Sequence, residues 1–393
     1  MKIAILGLGT VGGGVLRLLQ NQPKTAHLEV AYIFAREIRH PSLDLTGIKV
    51  TNDLDEILNS DVELVVEVLG GVDIAYDIHR QCLARGKHVV TANKDMLALH
   101  LDELAALGNQ YQAQIGYEAS CGGGIPIIQV IEHHLAANTI TRLLGILNGT
   151  TNYILTRMTQ EHWTYQQALA MAQQLGYAEK DPTNDVAGLD TSRKMALLSR
   201  LAYHKTVDWH QMPIRGIDDV AYDDIEAAKL FGYTMKLVGQ SEFDGEHVSM
   251  SVEPMLLSNS HVLAHVNEAK NALFVAGDAV GETMFYGPGA GSLETASAVV
   301  ADILFIERFG FTGNLVADTG AISTKASPKR VYYFRVEEAL ERVKTVLNEL
   351  GVELTHWHEA TQVSFLTQSM TAEQLDKIQQ QLSVVAYYTV EGV

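Results

Sequence analysis

The chain has 393 residues, 47% of them hydrophobic and 19% charged, with a formal net charge of −18. That length suits two or three globular domains with ample apolar material for their cores. The negative charge excludes a nucleic-acid or anionic-membrane partner, whose phosphates would repel it.

The N-terminus reads MKIAILGLGTVGGGV. Glycines interrupt the apolar run at once, so it is a strand and turn rather than a signal peptide. Residues 2–6 suit a strand buried on both faces, and residues 15–19 continue with helical spacing. Further strands are predicted at 28–34, 64–68 and 88–91, with a helix at 75–84. Strand and helix alternating through short connections predict an α/β fold with a Rossmann-type, doubly wound parallel sheet.

After about residue 125 the pattern changes to amphipathic helices at 164–175 and 190–203, mixed with alternating segments such as 247–252. This predicts a second, α+β domain. The polar stretch 323–330 contains Pro328 and reads as a linker. Beyond it, strands at 331–335, 352–358, 362–367 and 384–390 and helices at 337–350 and 372–382 predict a small βαββαβ domain. No apolar run approaches the ~18 residues needed to span a bilayer. Two cysteines, Cys82 and Cys121, imply no disulfide framework and fit a reducing cytoplasm.

Gly7-Leu8-Gly9-Thr10-Val11-Gly12 matches G-x-G-x-x-G, between a predicted strand and a predicted helix. Gly7 permits the tight turn, Gly9 lets backbone approach a pyrophosphate, and Gly12 lets helix and strand pack closely. The helix N-terminus then faces the anion. The second strand ends Ile33-Phe34-Ala35-Arg36-Glu37. An acid there would hold a ribose 2′-hydroxyl, whereas Arg36 suits the 2′-phosphate of NADP. NADP is therefore the expected cofactor, with NAD as the alternative.

Lys94 follows a predicted strand, at the carboxyl edge where open α/β sheets bind ligands. Asp190 and Lys194 lie four apart, on one face of a predicted helix. The bland alternative is an N-cap and a surface ion pair. Against it, four carboxylates, Glu179, Asp181, Asp185 and Asp190, lie close in sequence to one lysine. Carbonyl reduction needs such a proton donor, and spacing alone leaves both readings open. Cys121, in a glycine-rich turn, is a candidate thiol nucleophile or a small packed residue. His261 and His265 lie four apart without the rest of a zinc motif.

Together GLGTVGGGV (7–15), VVEVLGG (65–71), GKHVVTANK (86–94), YEASCGGGIPII (117–128), GILNGTTNYIL (145–155), LGYAEKDPTNDVAGLDTSRK (175–194) and NALFVAGDAVGETMFYGPGAG (271–291) resemble the homoserine dehydrogenases, from residue 1 to about 320. The resemblance implies reversible NAD(P)-linked interconversion of aspartate 4-semialdehyde and homoserine, on the route to threonine and methionine. It implies a small-molecule substrate, a cytoplasmic enzyme, and a homodimer or larger homo-oligomer built through the middle domain. It makes Lys194 the proton donor and acceptor and sets Lys94 against cofactor and substrate. Glu179, Asp185 and Asp190 line the substrate pocket, with Asn148, Gly149, Thr150 and Tyr177. Gly70 and Gly291 join the fingerprint residues at the cofactor. The resemblance further implies a structural sodium ion held by the Glu118 region and by main-chain oxygens of Cys121, Gly123 and Ile125. The domains this implies are 1–125 with 292–322 for the nucleotide, 126–291 for catalysis and dimerisation, and 331–393 as a small unit.

That last unit resembles the ACT-type regulatory domains of longer family members. It lacks the acidic-x-Pro-Gly turn after its first strand, where residues 336–342 are helix formers. A helix starting at 337 would fill the amino-acid site, so insensitivity to threonine is expected. Two other readings stand beside the dehydrogenase. One is an aldehyde dehydrogenase acylated on Cys121, the other a catalytically inactive nucleotide sensor.

Overall fold

Five short apolar runs and a two-residue sixth build the first sheet: β1 (Lys2–Leu6), β2 (Glu29–Phe34), β3 (Lys49–Thr51), β4 (Leu64–Glu67), β5 (His88–Thr91) and β6 (Ile115–Gly116). The computed structural model describes residues 1–35, 43–319 and 329–392. All neighbours in the order β3-β2-β1-β4-β5-β6 are parallel, as the strand–helix alternation predicted. Helices α1 (Thr10–Asn21), α2 (Leu54–Leu58), α3 (Asp73–Leu83) and α4 (Lys94–Tyr111) fall between the strands. Ile3, Ile5, Leu64, Val66 and Val90 are fully buried, which is why these strands lack polar alternation. Each such side chain contributes about 1.5–3 kcal/mol by leaving water. The strand order reverses between β1 and β4, so their carboxyl ends, Leu6 and Glu67, border the crevice where such sheets bind ligands.

The chain divides into two compact units. The first comprises Met1–Thr141, Arg193–Val207 and Ala276–Gly320, the second Arg142–Ser192, Asp208–Val275 and Ala321–Val393. These divisions do not follow the boundaries at 125/126 and 291/292 read from sequence, nor do they detach a third domain at 331. The reason lies in the second sheet. Strands Lys270–Gly277, Ile140–Ile146, Tyr233–Phe243, Val248–Ser258, Val384–Glu391, Val331–Val336, Val363–Thr367 and Leu354–Glu359 lie in it in that order. The last strand of the C-terminal βαββαβ segment pairs in parallel with Val248–Ser258, Met255 opposite Thr389, so one sheet runs through both parts.

A buried ion pair reinforces that continuity. Asp224, on the helix Tyr222–Leu230, is fully buried. It accepts from Arg335 Nε and Nη2 at 2.7 and 3.0 Å, from the Tyr333 hydroxyl at 3.0 Å and from the Tyr388 hydroxyl at 3.2 Å.

The expected helix start at 337 is corrected by the structure, in which the helix runs Leu340–Glu349. Glu337 N donates to Ser383 O, and the Glu338 carboxylate accepts from Ser383 N at 2.7 Å. These bonds hold residues 337–338 in a bend, with Ala339 extended as the N-cap. The helix therefore does not fill the turn, and the expectation of threonine insensitivity loses that support. Among the described residues no helix is long and apolar enough to cross a membrane.

Candidate active site

The fingerprint turn has the geometry its residues predict. Gly7 has φ +102°, and a Cβ on it would lie 2.8 Å from Val68 O. A Cβ on Gly12 would lie 1.9 Å from Gly7 O, so helix and turn could not close with any larger residue. Gly9 differs, because a Cβ there would meet nothing within 4 Å. Packing within the chain does not demand that glycine, whereas close approach of a ligand does. Gly9, Thr10 and Val11 open the N-terminus of α1, where amide groups point outward without intrahelical partners. A cavity of about 910 Å³ opens here, walled by Gly7, Gly9, Ala35, Gly70, Asp73 and Asp77. That volume suits a dinucleotide-sized ligand.

Gly9→Ala should therefore leave the melting temperature unchanged while weakening dinucleotide binding about tenfold or more. Gly12→Ala should lower both. Thermal melts and fluorescence titration of reduced nicotinamide dinucleotides check this, and unchanged affinity in Gly9→Ala would count against the pocket.

Gly291 reaches the same turn. It caps the helix Ser292–Phe309 with φ +140°, and Ser292 Oγ donates to Thr10 O at 2.7 Å. A Cβ on Gly14 would lie 2.7 Å from Ser292 O, so that glycine lets the two helices touch. Arg36 follows Ala35 of the cavity wall in sequence but lies outside the described residues.

Lys94 is the first residue of α4, three residues past β5. Asn93 caps that helix, its side chain accepting from Met96 N at 3.1 Å. The sheet thus delivers Lys94 at its carboxyl edge, as read from the sequence.

In the second unit Asn148 organises the polar residues. Its amide oxygen accepts from Thr151 N and caps the helix Gly149–Glu161. Its amide nitrogen donates to Asp185 Oδ1 at 2.7 Å and to Asp190 Oδ2 at 2.9 Å. Thr150 Oγ1 donates to Tyr177 O at 2.6 Å and to Asp185 Oδ2 at 3.2 Å. Asp190 is the second residue of the helix Leu189–Tyr203 and is buried, so it is not a surface N-cap. Lys194 follows one turn later on that helix, half-buried. The sequence grouped four carboxylates, and Asn148 joins two of them, Asp185 and Asp190. Glu179 is exposed, and Asp181 is exposed and caps its own turn through Thr183.

Sequence reasoning missed Lys236, which is fully buried and donates to Asn152 Oδ1, Val266 O and Asn267 Oδ1. Burial pushes its ammonium down to about 7. Asn152 sits one turn after Asn148 on the same helix, so Lys236 fixes the element that presents Asn148. A lysine within a strand pattern gave no sign of this, because its partners come from distant segments.

The Cys121 thiol is fully buried beside Ser120 and donates weakly to Lys194 O at 3.9 Å. A nucleophile must meet substrate, so this placement disfavours the thioester route. The implied sodium donors are all oxygens, which suits a hard cation. Gly122 and Gly123 have φ of 74° and 59° and turn the backbone at this loop. Glu118 is buried, its carboxylate accepting from the amides of Ile127, Ile128 and Gln129. Burial raises its pKa against those amides, and the same burial pushes neighbouring Asp302 up to about 8. Glu118 thus already holds a helix start, and a cation beside it would rely on main-chain oxygens.

A family model described as "Homoserine dehydrogenase, NAD binding domain" matches residues 7–118, and one described as "Homoserine dehydrogenase" matches residues 126–304. A homoserine dehydrogenase of Bacillus subtilis is 39% identical over 371 residues, covering 90% of this chain and 86% of its own. The chain belongs to the homoserine dehydrogenase family. A homoserine dehydrogenase structure from Thiobacillus denitrificans superposes with a TM-score of 0.90 at 31% identity, covering 100% of this chain and 98% of that one. A hyperthermophilic archaeal homoserine dehydrogenase in complex with NADPH gives 0.68 at 26% identity, covering 80% and 99%. As a member of this family the protein is an oxidoreductase with a nicotinamide-nucleotide domain.

Proposed function

We propose that this enzyme catalyses the reversible NADP-linked reduction of L-aspartate 4-semialdehyde to L-homoserine, serving threonine and methionine synthesis. The observation that carries the reading is the buried Asp190, bound by Asn148, one helical turn from Lys194. NADPH supplies a hydride when bound. Lys194 donates the proton that the reduced carbonyl oxygen needs, and recovers it in the reverse direction. Asp185 and Asp190 offer carboxylates to the substrate ammonium, and Asn148 sets their spacing. Glu179 joins them at the substrate, with Gly149, Thr150 and Tyr177. Lys94 faces the cofactor and offers the substrate carboxylate a fixed cation.

The cofactor preference rests on Arg36 and on the archaeal relative bound to NADPH. Arg36→Ala should weaken NADPH far more than NADH, since only NADPH carries the 2′-phosphate. Parallel titrations check it, and equal losses would remove Arg36 as the discriminator. We assign the sodium ion to the 121–125 loop with Glu118, and a homodimer to residues 126–291. The whole reading is tested by following absorbance at the nicotinamide band with purified protein, homoserine and NADP⁺. Absorbance that stays flat would overturn it.

A further inference from the structure

Glu67 ends β4 at the border of the nucleotide crevice and is fully buried. A carboxylate in that position is costly unless fully bonded. Its Oε1 accepts from Leu69 N at 2.8 Å and Gly70 N at 3.4 Å. Its Oε2 accepts from Thr91 Oγ1 at 2.9 Å and lies 3.4 Å from His79 Nε2.

His79 belongs to α3 and is equally buried, and neither of its ring nitrogens has a hydrogen-bond partner. Glu67 is its ion-pair neighbour, so the ring is held in the core facing one charge. Burial raises the Glu67 pKa, but His79, the loop amides and Thr91 together hold it below the ordinary range.

The bonds continue into a closed ring. Thr91 Oγ1 accepts from Asn93 N at 3.0 Å. Asn93 Nδ2 donates to Gly71 O at 2.6 Å, which returns to the loop that Glu67 holds from beneath. Gly70 and Gly71 both have positive φ, 82° and 78°, and a Cβ on either would meet nothing within 4 Å. Side-chain packing therefore does not fix these two residues, and the ring does. The remaining oxygen of Asn93 caps α4, whose first residue is Lys94.

We infer that Glu67, His79 and Thr91 are positioning residues that lock the cavity loop 69–71 and the Lys94 helix start into one body. This rests on the dehydrogenase reading of the cavity and of Lys94. None of the three needs to touch cofactor or substrate. Glu67 supplies the charge, His79 ties α3 to it, and the Thr91 hydroxyl links Glu67 to Asn93. Without the hydroxyl the Glu67 arm of the ring is lost, and the Asn93–Gly71 bond is left to hold the loop to the Lys94 helix start. Displacement of about an ångström at a reacting site costs up to ~100-fold in rate.

The test compares Thr91→Val, which keeps the shape without the hydroxyl, with Thr91→Ser, which keeps the hydroxyl. Thr91→Val should lower kcat about 10- to 100-fold and weaken NADPH binding. The KM for homoserine should rise less than kcat falls, because of the proposed substrate residues the ring holds Lys94 but not Asn148, Asp185 or Asp190. Thr91→Ser should restore kcat to within about threefold of wild type. Should Thr91→Val fail to fold, His79→Leu, which removes the α3 partner of Glu67 while keeping an apolar side chain in the core, carries the same reading and should show the same split. Wild-type kcat and NADPH affinity in the folded variant, or a loss that Thr91→Ser does not rescue, would overturn the inference. Wild-type protein that binds NADPH but never oxidises homoserine would instead overturn the dehydrogenase reading. NADPH affinity in the same variants would still decide this one.

Discussion

Replacing Lys194 by alanine is expected to lower kcat by about 10²–10⁴-fold, the usual worth of one general acid–base group. NADPH affinity should hardly change, because the fingerprint turn and its cavity do not include Lys194. The helix should survive as well, since alanine is the best helix former and Lys194 is only half-buried. Lys194→Arg should not restore the rate. A guanidinium keeps the charge but holds its proton too tightly to exchange it with an alkoxide near neutral pH. Steady-state kinetics with homoserine check both variants, and a near-normal kcat in Lys194→Ala would remove the assignment.

Asp224→Ala should cost about 3 kcal/mol of stability, because it leaves the part-buried Arg335 guanidinium without its carboxylate and with Gln362 as its remaining side-chain acceptor. Two tyrosine hydroxyls, of Tyr333 and Tyr388, lose their acceptor in the same step. The urea midpoint reads the loss, and a midpoint equal to that of wild type would contradict it. The double variant Asp224→Ala with Arg335→Met should recover much of the loss, since it removes the orphaned charge. That recovery separates the ion pair from a general defect of the helix Tyr222–Leu230.

The parts of this molecule that were legible in the sequence obey short-range rules. The strand–glycine turn–helix of residues 2–21 follows from local φ requirements and apolar runs, and the structure reproduces it. Lys94 was legible for the same reason, as a residue just past a buried strand. The substrate side was legible only in part. Asp185 and Asp190 meet through Asn148, roughly forty residues earlier, and no spacing rule links them. Glu179 and Asp181 were grouped with them by proximity in sequence, and both lie exposed, Asp181 bonded within its own turn.

The helix start at 337 was misread because Glu and Ala favour a helix by propensity. The tie between Glu338 and Ser383 overrides that preference from 45 positions away. Glu67 stood inside a quoted motif without being singled out. An acid closing an otherwise apolar strand was the available signal, but its partners on α3 and β5 appear only in three dimensions.

The central claim is direct hydride transfer between nicotinamide and aspartate 4-semialdehyde with Lys194 handling the proton. It is tested most directly with NADPH carrying deuterium at both positions of nicotinamide carbon 4. Reduction of unlabelled aspartate 4-semialdehyde should give homoserine with one deuterium on carbon 4, seen by mass spectrometry. The same label should appear with Cys121→Ser, since that thiol is buried and has no part in the transfer. Unlabelled homoserine, or consumption of the aldehyde without homoserine, would contradict the account.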